Sequence, residues 1–236
     1  MTESTARSAT RIVGTAIPLS FFLLAFSTFA LLDPILGSED PAETARRIVE
    51  SESSFRLGVL GHLLYGIGQV VVAGALYFLL RPAGRNLALL AAFFRLVWAI
   101  TWIPVTIDFV TALRMLEDPA LAAALGEQLP VLAGLHLNGY DIYYVGLPFW
   151  SISATLMSWA LHRGPLVPRG LALFGIAASA WCVVCSLGHF IRPGFVNLWV
   201  YDSALALFEL ALAGWLLFRG VAPRSESATP VFPSPD

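Results

Sequence analysis

The sequence predicts an all-α integral membrane protein, a bundle of six transmembrane helices, and three observations carry that prediction. Of its 236 residues, 57% are hydrophobic and only 13% charged, with a mean hydropathy of +0.74, whereas soluble domains are about one quarter charged. Six apolar runs, 12–32, 55–80, 87–113, 139–161, 171–191 and 195–218, each match the roughly 20 residues that a helix needs to cross a hydrocarbon core. The breaks between them, two of them long loops, carry Pro, Gly and Arg, residues that end helices and turn chains. The net charge of -2 and the lack of a basic cluster exclude a nucleic-acid partner. Two cysteines are too few for a disulfide framework.

The second and third runs form a hairpin that orients the rest. Run 55–80 is interrupted only by Arg56 at its edge and by His62 and Gln69 inside, and the turn after it holds Arg81 and Arg85. Short Arg-bearing loops stay in the cytoplasm, so this turn faces inward and both termini are expected to be cytoplasmic. Arg7, Arg11, Arg163, Arg169, Arg219 and Arg224 then fall on the same side, against Arg46, Arg47, Arg114 and Arg192 on the other. The expected localisation is a bacterial inner membrane, as a multi-pass protein whose first partner is the lipid bilayer.

Residues 1–11 read as a cytoplasmic segment. The first span, 12–32, exceeds the 7 to 15 apolar residues of a signal peptide and is expected to stay in the membrane. Pro18 within it is tolerable because neighbouring helices can satisfy the freed carbonyl. In the loop that follows, Asp40, Pro41 and Glu43 make a helix start, predicting a short amphipathic helix to about residue 52 with Ala42, Ala45, Ile48 and Val49 on one face. Five glycines along the second span, Gly58, Gly61, Gly66, Gly68 and Gly74, predict close helix approach. The third span carries Arg95, Pro104 and Asp108. A second outer loop, 114–135, is predicted to hold another short helix, started by Asp118 and Pro119. The fourth span carries Asp141 and Pro148, the fifth Cys182, Cys185 and His189, and the sixth, after a turn at Arg192, Pro193 and Gly194, carries Asp202 and Glu209. Residues 219–236, rich in Pro and Ser, read as a disordered cytoplasmic tail.

The runs SESSFRLG (51–58) and YFLLRPAGRNLALLAAFFRLV (77–97), with GYDIYYVGLPFW (139–150) and HRGPLVPRGLALFGIAAS (162–179), resemble a bacterial family of integral membrane proteins, the domain-of-unknown-function 4386 family. The resemblance spans roughly residues 8–220. It implies six helices and a shared architecture, and implies no reaction.

Ionisable residues inside a membrane are costly and are candidates for function. Depth along each span places His62, Asp108, Asp141, His189 and Asp202, from five spans, in the outer third, with His136 and Asn138 beside them. This predicts a polar pocket near the outer face. Asp141 and Asp202 would be its carboxylates and His62 and His189 its imidazoles, with Asp108, Asn138, Tyr65, Tyr140, Tyr144, Trp102, Trp181 and Tyr201 as ligand-binding walls. The competing reading is that helix ends are wet and that Tyr and Trp form an interfacial belt. Arg95 and Glu209 match in depth nearer the inner side, which predicts a structural ion pair. Cys182, Cys185 and His189 follow i, i+3, i+7 spacing and could hold a soft metal. No metal site is assigned, because a lone C-x-x-C in an apolar helix is equally well explained by packing, and no cofactor is implied. Two functions remain open at this stage. One is a membrane-embedded enzyme working on a lipophilic small molecule by carboxylate and imidazole acid/base chemistry, of isomerase, cyclase or hydrolase type. The other is a non-catalytic binding or transport protein for a small ligand or ion.

The orientation has a direct test: reporters fused after Phe218 and inserted at Gly84 should both read cytoplasmic. An external signal at either position would overturn the assignment of sides.

Overall fold

The computed structural model describes residues 3–137, 140–192 and 198–219. The Pro193 and Gly194 turn, Asn138 and residues 220–236 lie outside them. Ten α-helices build the described chain: α1 (Glu3–Ala25), α2 (Asp33–Leu36), α3 (Pro41–Glu50), α4 (Glu52–Leu80), α5 (Arg85–Glu117), α6 (Pro119–Leu125), α7 (Leu129–Leu137), α8 (Tyr140–His162), α9 (Arg169–Ile191) and α10 (Leu198–Arg219). A π-helical segment, Phe26–Leu32, joins α1 to α2 without a break. There is no strand among the described residues. Six stretches are long and apolar enough to cross a membrane, so the chain is a multi-pass membrane protein.

The spanning helices close into a ring in chain order. α1 packs on α4, α4 on α5, α5 on α8, α8 on α9, α9 on α10, and α10 returns to α1. Short connections make α4 and α5, and α8 and α9, antiparallel neighbours, while α1 and α4, and α5 and α8, are joined through the loop helices. The ring has a mainly hydrophobic core with polar groups set into it, and an apolar exterior. Gln69, Arg95, Ser151, Ser153, Ser179 and Glu209 are fully buried, while Leu57, Ile67, Phe93, Ile107, Leu173 and Leu207 are at least half exposed. Large apolar side chains facing outward and charges kept inside are what hydrocarbon solvent selects.

The loop helices gather at one end of the ring. At α3, Asp40 accepts a hydrogen bond from the Ala42 amide at 3.0 Å and Pro41 takes the first turn. Asp118 starts α6 in the same way, at 2.8 Å from the Ala120 amide. Glu43 on α3 is held at about 2, below its ordinary 4.5, by hydrogen bonds from Arg46 and then Arg47. The structure corrects the second loop, which holds α7 as well as α6. Pro130 suggests a break, yet it falls in the first turn of α7, where a missing amide hydrogen costs nothing.

Close approach between α1 and α4 is glycine-dependent. A Cβ added at Gly61 would stand 1.6 Å from Ser27 Oγ, one at Gly68 2.1 Å from Ser20 Oγ, and one at Gly58 2.6 Å from Leu32. Gly66 faces α5 instead, 3.0 Å from Trp102 Cβ, and Gly74 meets nothing. Four of the five glycines therefore let backbones meet, and the fifth faces out. Gly61→Ala should lower stability by about 1 to 3 kcal/mol through overpacking, read as a fall in Tm in detergent. Adding Ser27→Gly should restore most of the loss, and failure to do so would mean that the contact is not what limits approach.

Candidate functional site

The centre of the ring is crossed by a charge pair. Arg95 on α5 donates to both carboxylate oxygens of Glu209 on α10, Nη1 to Oε1 at 2.5 Å and Nη2 to Oε2 at 2.7 Å. Both side chains are at most 1% exposed. α5 and α10 are opposite members of the ring, so the pair spans its diameter. Trp150 on α8 donates its indole N–H to Glu209 Oε1 at 2.7 Å and lies 5.9 Å from the Arg95 guanidinium. Trp98 stacks on Trp150 at 5.5 Å and 15°. The planar fork, the bidentate geometry and the extra indole donor supply what a buried pair needs to offset its desolvation.

Towards the loop end an aromatic and polar layer follows. Tyr65 accepts from Trp98 Nε1 at 3.3 Å and meets the Trp102 ring edge to face at 4.7 Å. Trp102 lies 5.3 Å from His62 and 6.2 Å from Tyr143. The Tyr143 hydroxyl donates to Asp202 Oδ2. Tyr144 stacks on His189 at 4.0 Å and 18°, and His189 Nδ1 lies 3.3 Å from the Tyr201 hydroxyl. Side chains from α4, α5, α8, α9 and α10 thus form one layer.

The residues singled out from sequence divide into three sets. His62, Tyr65, Trp102, Tyr144, His189, Tyr201 and Asp202 share the layer. Asp108 stands apart, 3.0 Å from His136 Nδ1 on α7, with both side chains about one third exposed. Trp181 points out, 42% exposed, with its indole donating to the Val200 carbonyl at 2.9 Å. Asn138 and the side chains of Tyr140 and Asp141 lie outside the described residues. Among the described residues the rings of Tyr65, Trp102, Tyr144 and Tyr201 pack against neighbouring rings. Two cavities are lined by other residues. One of about 630 Å³ sits at the loop end between α3 and α7, beside Asp33, Glu39, Thr44, Leu116 and Pro130. A second of about 220 Å³ is an apolar groove between α4 and α5. Cys182 and Cys185 are buried free thiols, and no group of three His, Cys, Asp or Glu among the described residues is placed to hold a metal.

Tyr143, Trp98, Trp150 and Thr28 complete the layer and were not singled out from sequence. Thr28 Oγ1 sits 3.1 Å from His62 Nε2 and belongs to the π-helical segment. Among the described residues six side chains carry buried polar atoms without a partner: His62 Nδ1, both amide atoms of Gln69, Arg95 Nε, Trp102 Nε1, Ser158 Oγ and His162 Nδ1. The first four lie on α4 or α5 and the last two on α8. The antiparallel register set by the Phe55–Phe109, His62–Trp102 and Tyr65–Trp98 contacts brings Gln69 level with Arg95.

Residues 12–220 match the family described as a domain of unknown function, DUF4386. An uncharacterized protein of Archaeoglobus fulgidus is 28% identical over 166 residues, which cover 69% of this chain and 83% of that protein. No solved structure matches.

The central pair is testable by removing one charge. Arg95→Ala leaves Glu209 buried beside only an indole donor and should destabilise the protein by about 3 to 5 kcal/mol. Arg95→Met with Glu209→Met should recover much of this, and adding Trp150→Phe should recover more, since it removes the indole N–H that would otherwise lack an acceptor. A double variant as unstable in thermal melts as Arg95→Ala alone would overturn the structural reading.

Proposed function

The chain belongs to the DUF4386 family, and we propose that it is a membrane-embedded enzyme that acts on a lipophilic small molecule by carboxylate and imidazole acid/base chemistry. The observation that carries this reading is the pairing of Asp202. Among the described residues no basic side chain pairs with it, and its hydrogen-bond partner is a phenol, Tyr143. A carboxyl in a spanning helix with no countercharge is costly to keep and is able to hold or release a proton. Arg95 and Glu209 differ, because each has the other as its countercharge.

His62 supplies the imidazole, with Nδ1 unpartnered and Trp102 linking it to Tyr143. His189, fixed between Tyr144 and Tyr201, belongs to the same layer, and Asp141 is assigned there from its position in the run before Tyr143. An isomerase, cyclase or hydrolase would use such groups to add a proton at one atom of the substrate and remove one at another. The aromatic rings exclude water and keep the proton transfers within the layer. In this reading the layer lies on the outer side of the cell membrane and both termini are cytoplasmic. A ligand-binding protein without turnover is the second reading, favoured by how tightly the rings pack.

Asp202→Asn preserves the size of the side chain and an acceptor for Tyr143 while removing the titratable proton. It should insert and melt like the parent yet lose turnover by roughly a hundredfold or more. Unchanged turnover of a lipophilic substrate would overturn the acid/base reading. Loss of affinity in a parent that never turns substrate over would favour the binder.

A further inference from the structure

We infer that spans α4 and α5 hold a binding site for the hydroxyl group of a long-chain amphiphile, reached sideways from the lipid, with His62 Nδ1 and Trp102 Nε1 as its two hydrogen-bond partners. The inference deepens the reading above by naming the substrate class, and it rests on the same layer. Two independent observations meet here, an unfilled pair of hydrogen-bonding atoms and an apolar groove beside them.

Both His62 and Trp102 are 6% exposed, and each keeps one ring nitrogen without a partner. The two rings are in edge-to-face contact, with centroids 5.3 Å apart, so the two unpartnered nitrogens belong to neighbouring side chains. The indole N–H can only donate. His62 Nε2 is engaged by Thr28 Oγ1 at 3.1 Å. If Nε2 carries the proton, Nδ1 accepts; if the threonine hydroxyl donates, Nδ1 donates. A hydroxyl oxygen serves both cases, because it accepts from the indole and either donates to or accepts from the imidazole. A carbonyl serves only one. Water fits less well, since buried waters usually make about three hydrogen bonds, and the other neighbours of His62 here are the Trp102 and Phe109 rings. An alcohol needs only two bonds, and its third substituent is the carbon chain.

The groove gives that chain its place. Phe55, Val59, Leu60, Leu63, Thr106 and Val110 line a cavity of about 220 Å³ between the two helices. The one hydroxyl among these six, on Thr106, is already donated to the Trp102 carbonyl at 2.8 Å. Leu60 is 46% exposed on the lipid side. Phe109 lies between the groove and the histidine, 6.0 Å from Phe55 and 5.6 Å from His62, so rotation of that ring opens the way. At the loop end Arg56 bridges Glu52 at 2.5 Å and Glu117 at 3.0 Å, closing the groove with charges.

The test uses the full chain in nanodiscs and a diazirine-bearing hexadecanol as probe. Photolabelling should saturate and map to residues 55–63 and 106–113. Excess 1-hexadecanol should compete for it, and hexadecane, which has no oxygen, should compete about tenfold less well. Trp102→Phe and His62→Phe should each weaken labelling about fivefold to tenfold, the loss of one hydrogen bond. Equal competition by alcohol and alkane in the unmutated protein would overturn the hydroxyl site without any variant having to fold. Equal labelling in both ring variants would do the same and reduce the groove to a lipid contact. Either result leaves the acid/base reading to stand or fall on the turnover of Asp202→Asn.

Discussion

The constraint on which this structure depends is that neither Arg95 nor Glu209 can remain in the membrane centre alone. A unit charge moved from water into hydrocarbon costs many kcal/mol, and only an opposite charge at hydrogen-bond distance, with the remaining lone pairs satisfied, brings that cost down. Because the two residues sit on opposite helices, satisfying them draws α5 and α10 towards a common axis. The other four spanning helices then have to close round that axis in chain order. Trp150 fills the third hydrogen-bonding position, Trp98 stacks on Trp150, and Tyr65 caps Trp98. The ring therefore has a polar centre set within a hydrophobic core, and further hydrophobic side chains cover its outside.

Much of this was legible in the sequence because membrane spans are specified by length and depth. Runs of 20 or more apolar residues give the helices, and counting from the ends gives depth, which is why Arg95 and Glu209 could be paired across 114 positions. Depth does not give direction. Trp181 and Cys182 are adjacent in sequence but about 100° apart round the helix, so Cys182 is buried while Trp181 faces out. The same ambiguity hid Tyr143, one position from Tyr144, although it is Tyr143 that bonds Asp202. Asp108 has the right depth for the layer, yet its partner is His136 on α7 at the loop end. α7 itself was hidden because Pro130 signals either a break or a first turn.

Satisfaction of polar groups differs along the axis. The Glu209 carboxylate has three donors for its two oxygens. Yet seven buried polar atoms among the described residues have no partner, five of them on α4 and α5, from Gln69 and Arg95 Nε at the level of the pair to His62 Nδ1 and Trp102 Nε1 in the layer. Each would cost about 1 to 3 kcal/mol if nothing met it, and a protein of ordinary stability does not leave several such groups side by side without an occupant or a use. Five of the seven lie on these two neighbouring helices; on α8, Thr155 bonds Ser179 and Ser153 bonds the Ala91 carbonyl, while Ser158 Oγ and His162 Nδ1 have no partner.

The backbone adds a feature at His62. α1 departs from α-helical geometry only at Phe26–Leu32, and this segment meets α4 where Gly61 lets Ser27 approach. The wider turn seats Thr28 against His62 and so occupies one of the two ring nitrogens from behind. π-helical turns are uncommon and collect at functional sites. In a helix whose only other duty is to cross the membrane, a local distortion that orients one imidazole is difficult to explain by packing alone. It is readily explained if the free nitrogen of that imidazole has to point at something, and the open coordination of His62 and Trp102 beside the α4–α5 groove is where that direction leads.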